Sequence, residues 1–159
     1  MIIKSLEIFS QNFWKNKLLA DPILENNKNY DIILIQEPLG SNIWQIPSIL
    51  SQEGDNLIGA PYHPSWTLFV RNSDTKNNYP RVATYLNTRL SKLWFSMWKD
   101  IFNYWDINFI LFFNHGTMHF LLNVYSDSQQ SALKHLKDTE VNLNNVIIMT
   151  DSFNIHNSD

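Results

Sequence analysis

The sequence has 159 residues, is 44% hydrophobic and 14% aromatic, and carries a formal net charge of −3. That length suits one domain spanning 1–159 with a real core, and the composition excludes a disordered chain. No apolar run nears the roughly 18 residues needed to span a bilayer, the absence of cysteine excludes disulfide and thiolate chemistry, and the acidic balance weighs against an extended nucleic-acid surface.

Ile2, Ile3, Leu6 and Ile8 suit a first strand ending near Ser10-Gln11-Asn12, and the nearby charges Lys4 and Glu7 do not read as a secretion signal. Helical spacing of Trp14, Leu18 and Leu19 predicts a helix over 13–24, with a restart at Asp21-Pro22. Asp31 to Ile35 is a continuous apolar run, the mark of a strand covered on both faces, and it ends in Gln36-Glu37-Pro38. Residues 39–65 are loop-rich, with a short helix expected over 43–50. Strands follow over 66–70, 82–86 and 93–98, with a polar turn over 72–80. The runs 107–113 and 118–125 form a hairpin around Asn114-His115-Gly116. Ser126 or Asp127 then caps a helix with Ala132, Leu133 and Leu136 inside and Lys134 and Lys137 outside. The last strand covers 145–149. This order predicts an α/β fold: a mixed sheet system flanked by helices.

Three apolar strands end in polar residues: Asn12, then Gln36-Glu37, then Thr150-Asp151-Ser152-Phe153-Asn154. Ligands in open α/β sheets bind outside strand ends, and Asn and Glu offer the hard oxygens that suit Mg²⁺. The plain alternative is that strands end in polar residues because loops are wet.

The segments FSQN, DIILIQEP, LLNVYSDS and NNVIIMTDSFNI, in this order, resemble the endonuclease/exonuclease/phosphatase superfamily. The nearest likeness is the apurinic-type endonuclease domain of LINE-type retrotransposons, which HPSW and RVATYL also suit. The resemblance implies a deoxyribonuclease-like four-layer α/β/β/α sandwich acting as a Mg²⁺- or Mn²⁺-dependent DNA nickase in an intracellular setting, with no membrane partner. It assigns Asn12 and Glu37 to the metal, Tyr125 to the scissile phosphate, and Asn154 to the end of the family's Gly-Asp-x-Asn motif. In that motif the Gly falls on Asp151 and the catalytic Asp on Ser152. A neutral hydroxyl is a poor replacement for the carboxylate that orients water. Asp151 can stand in only if a bulge re-aims it, because neighbouring residues of a strand point to opposite faces.

The family pattern continues to a Ser-Asp-His motif that has no counterpart before Asp159. The resemblance therefore implies a fold incomplete at its C-terminus, with exposed edge strands prone to self-association and weak or absent activity. Two other readings stay open: a non-catalytic binding or assembly module, and a superfamily phosphatase acting on a small phosphoester. Elsewhere, His115 and His119 read as turn chemistry more than as a zinc pair, and the His63-Pro64-Ser65-Trp66 loop leans structural. Arg71, Lys76 and Arg81 read as solvated cations before phosphate ligands, and the aromatics of 94–105 as core before base-stacking platforms.

Overall fold

A computed structural model describes residues 5–13, 20–37, 48–50, 56–58, 63–69, 81–90, 95–97, 107–114, 116–126, 131–138 and 146–153. Strand β1 (Ile8–Asn12) runs parallel to β2 (Ile32–Gln36), and helix α1 (Ala20–Asn26) lies between them in sequence. Asp21 sits in the first turn of α1, where a carboxylate meets the positive helix end. All five residues of β2 are buried, as its unbroken apolar run requires. Strands β3 (Ser48–Leu50) and β4 (Asn56–Ile58) form a separate antiparallel pair. Then β5 (Trp66–Phe69) and β6 (Val82–Asn87) complete the first sheet in the order β1-β2-β6-β5. The second sheet comprises β7 (Phe95–Met97), β8 (Ile107–Asn114), β9 (Thr117–Ser126) and β10 (Val146–Phe153), in the order β10-β9-β8-β7. Gly116, at φ 72°, turns the chain between β8 and β9 in a conformation that suits glycine. Helix α2 (Ser131–Asp138) precedes β10.

The period-two pattern of each strand explains the layering. Ile32, Leu34, Leu86, Ile110, Phe112 and Leu121 meet in a core between the two sheets. The alternate residues of β8 and β9, Phe109, Phe120, Leu122 and Val124, pack instead with Ala132 of α2. On the first sheet's outer side, the Trp66 indole donates to the Leu24 carbonyl of α1 at 2.9 Å. The outcome is the expected two-sheet α/β sandwich with a helix on each outer face.

Three expectations differ from the structure. Residues 48–50 form a strand, not the end of a helix, and 43–47 lie outside the described residues. The strand expected from residue 2 begins at Ile8 among the described residues. Just ahead of it, the Glu7 carbonyl accepts from the Asp31 and Ile32 backbone at 2.8 and 3.2 Å. The final strand extends through Thr150, Asp151, Ser152 and Phe153, because β9 offers pairing partners as far as Ser126. The His63 loop is structural: His63 Nε2 meets the Glu25 carboxylate at 2.7 Å, its Nδ1 accepts from the Ser65 backbone, and Trp66 is buried. Asp31 accepts from the Glu7 backbone and from Arg89, whose guanidinium also reaches the Lys28 and Asn29 carbonyls. This cluster ties the β2 entry to the 3-10 turn Thr88–Leu90.

A chain of buried polar groups crosses the apolar gap between the sheets. The fully buried Asn123 on β9 accepts from Gln36 Nε2 at 2.9 Å and donates to the Ala83 carbonyl at 3.0 Å. Thr84 donates to Asn108 Oδ1, and Asn108 donates to the Phe69 carbonyl. Each group is satisfied, so the network fixes the register of one sheet against the other. Replacing Asn123 by Leu leaves buried partners of both sheets without their bonds. We expect this to cost about 3 kcal/mol. Urea unfolding measures it, and a loss below about 0.5 kcal/mol would show that the network does not hold the sheets.

Candidate active site

Because β1 and β2 are parallel, their C-terminal ends emerge together: Asn12 stands opposite Gln36, and Glu37 follows. Strand β6 is antiparallel to β2, so its beginning meets the same edge; the Glu37 N–H donates to the Arg81 carbonyl at 2.6 Å. The Gln36–Asn123 bond carries β9 over this edge, which brings Tyr125, two residues on, to the same place. One strand end from each of four strands thus supplies Asn12, Glu37, Arg81 and Tyr125. Sequence assigned three of these to a site, and the structure brings them together.

Glu37 adopts φ 49°, a left-handed backbone uncommon outside glycine. The turned backbone falls on the residue that follows the last ladder pair of β2, Gln36 with Val82. Tyr125 is 5% exposed, with the Arg81 guanidinium carbon 5.1 Å from its ring centroid. Its hydroxyl lies within hydrogen-bonding reach of both Glu37 and Arg81. Burial first, and then the Glu37 charge and hydrogen bond, push the phenol above its ordinary value, while Arg81 pulls it down. Tyr125 is therefore a neutral hydrogen-bond donor throughout the physiological range.

Strand β10 runs parallel to β9, with Asp151 opposite Val124, Ser152 opposite Tyr125 and Phe153 opposite Ser126. The β-bulge lies upstream, between Val146 and Ile148, and the register is unbroken beyond it. Asp151 thus shares its position with Val124, a residue of the α2-side cluster, and Ser152 holds the position beside Tyr125. Asn154, Arg71, Lys76 and His115 lie outside the described residues. His119, the other half of the zinc-type spacing, packs 5.4 Å from the Phe112 ring.

Among the described residues, no three His, Cys, Asp or Glu side chains cluster as a metal cage. The donors at the edge still suit one kind of ion. Mg²⁺ commonly takes one or two carboxylates and keeps several waters, and Glu37 with the Asn12 amide offers such a partial oxygen set. Arg81, read from the sequence as a solvated cation before a phosphate ligand, lies at this edge as well. It reads as a solvated cation until the β2–β6 pairing, which joins Gln36 to Val82 across 46 residues (82 − 36), sets it beside Glu37 and the Tyr125 ring.

The chain is similar in structure to the endonuclease domain of TRAS1, a telomere-specific non-LTR retrotransposon, with a TM-score of 0.63 and 14% sequence identity. The match covers 92% of this chain and 58% of that one, so the chain spans less than two thirds of the neighbour's length. At this identity the likeness establishes the fold. No protein-family model and no curated protein matches the sequence. Among the described residues, no helix is long and apolar enough to cross a membrane.

Two measurements test this geometry. Glu37→Gly relieves the left-handed backbone that Glu37→Ala retains, so the glycine variant should be the more stable by about 1 kcal/mol; equal stabilities would mean the backbone is unstrained. For Tyr125 the folded-state value is raised above the ordinary 10.0. Its contribution to stability is therefore intact below pH 10.0 and lost as pH climbs through the higher folded value. Tyr125→Phe should lose less stability than wild type over that alkaline window. The fully buried Tyr85, also shifted upward, is common to both proteins and cancels.

Proposed function

We propose that this chain is an endonuclease-type phosphodiesterase domain of non-LTR retrotransposon kind, acting on DNA and retaining slow, Mg²⁺-dependent nicking. The observation that carries the reading is the meeting of Glu37, Tyr125 and Arg81 beside Asn12 at one sheet edge. The fold shared with the TRAS1 endonuclease domain supports it.

The reaction is hydrolysis of a phosphodiester. A water oxygen bonds to phosphorus, the bond from phosphorus to O3′ breaks, and the departing O3′ takes up a proton. The products are a 3′-hydroxyl and a 5′-phosphate. Tyr125, held neutral, offers its hydroxyl proton to a non-bridging phosphoryl oxygen. Glu37 and Asn12 would hold the Mg²⁺ or Mn²⁺, whose chemistry is to polarise a phosphoryl oxygen and offset the charge that develops there. Ser152, at the position beside Tyr125, supplies a neutral hydroxyl where the resembled family has a carboxylate. Without a base there, the attacking water is poorly oriented, and turnover is slow.

Supercoiled plasmid incubated with Mg²⁺ should convert slowly to the nicked circle, and Glu37→Ala should abolish the conversion. Ser152→Asp should accelerate it by about 100-fold, at the lower end of general-base contributions. Nicking that survives both chelation and Glu37→Ala would show the site to lie elsewhere. Complete inactivity of wild type and Ser152→Asp alike would favour the non-catalytic binding module.

A further inference from the structure

Arg81 plays no part in the metal or the water chemistry just described, yet it places a cation at this edge. Its backbone is fixed by the bond from the Glu37 N–H at 2.6 Å and by the adjoining Gln36–Val82 pair. Its guanidinium carbon lies 5.1 Å from the Tyr125 ring centroid, and the residue is partly exposed. A guanidinium seated on an aromatic ring loses little freedom when it binds, and its planar fork matches phosphate oxygens.

We infer that Arg81 is the phosphate-binding residue of this site, gripping a DNA backbone phosphate with its guanidinium while its stacking holds the Tyr125 ring in position. The inference rests on the phosphodiester reading and adds to it a specific anion contact. Arg81 also balances the Glu37 carboxylate, which by itself would repel the substrate. With a chain of net charge −3, a local cation at the strand ends has more effect on where DNA settles than the overall field does.

Counterion release gives a readout that a merely structural arginine would not move. A protein side chain that neutralises one phosphate adds close to one unit to the slope of log affinity against log salt. Binding of a short synthetic DNA duplex is measured by fluorescence anisotropy across a salt series in EDTA, which prevents cleavage. Arg81→Gln should weaken binding and reduce the slope by about 1, whereas Arg81→Lys should keep the slope and lose affinity through the missing fork. An unchanged slope in Arg81→Gln, or an equal loss in Arg81→Lys, overturns the Arg81 assignment and leaves the nuclease reading standing. Wild type that binds no DNA at any salt overturns both. Should Arg81→Gln fail to fold, Arg81→Met retains the apolar stem over the ring, removes the same charge, and decides the matter by the same slope.

Discussion

The buried amide of Asn123 is the constraint on which the arrangement of this protein depends. Two sheets packed by apolar side chains alone can slide, since a hydrophobic contact has no direction. An amide with its acceptor on Gln36 and its donor on Ala83 admits one alignment. That alignment carries the β9 end over the β2 end, and the residues beyond the network, Tyr125 and Glu37, meet as a result. The polar groups of the core thus set the geometry of the sheet edge at which Glu37 and Tyr125 meet.

The opposite end of the first sheet has a different character. There Asp31, Asn87 and Arg89 bind loop backbone, with Asn87 Nδ2 donating to the Lys28 and Tyr30 carbonyls. Between the two polar ends lies the apolar cluster around Ile32, Leu34 and Phe112. The first sheet is consequently held at the β2 entry by charge and backbone bonds, and it is joined to the second in the middle by burial and near the site by the amide network. The left-handed backbone of Glu37 follows directly on this held strand, and its N–H is bonded to the Arg81 carbonyl.

Much of this was legible in the sequence. The continuous apolar run at 32–35, the hairpin around Gly116 and the amphipathic pattern of α2 each report their environment directly, because periodicity follows from which face is covered. Asn12, Glu37 and Tyr125 were recoverable as strand-end residues of a resembled family. Arg81 was not, since a cation before a strand looks like any solvated charge until its pairing partner is known. Residues 48–50 misled because Ile and Leu occur equally in short helices and short strands, and only the pairing with 56–58 decides. The reach of β10 to Phe153 was hidden for a related reason: polar residues at a strand end pair normally when a neighbour is long enough to meet them.

The bulge between Val146 and Ile148 decides which residue of β10 stands opposite Tyr125. Val146 stands opposite Phe120, and Ile148 opposite Leu121, so one residue is spent without advancing the pairing. Had the ladder run evenly from Val146 with the same residues, position 151 would stand opposite Tyr125 (146 + 5 and 120 + 5). Asp151 would then hold the register position that Ser152 now holds. Deleting the extra residue changes nothing at the strand end, because Ile148 keeps its place opposite Leu121 and Ser152 its place opposite Tyr125. Closing the bulge at unchanged length shifts every later pair by one, so an acidic residue replaces a neutral one in the register without any change of sequence at the strand end.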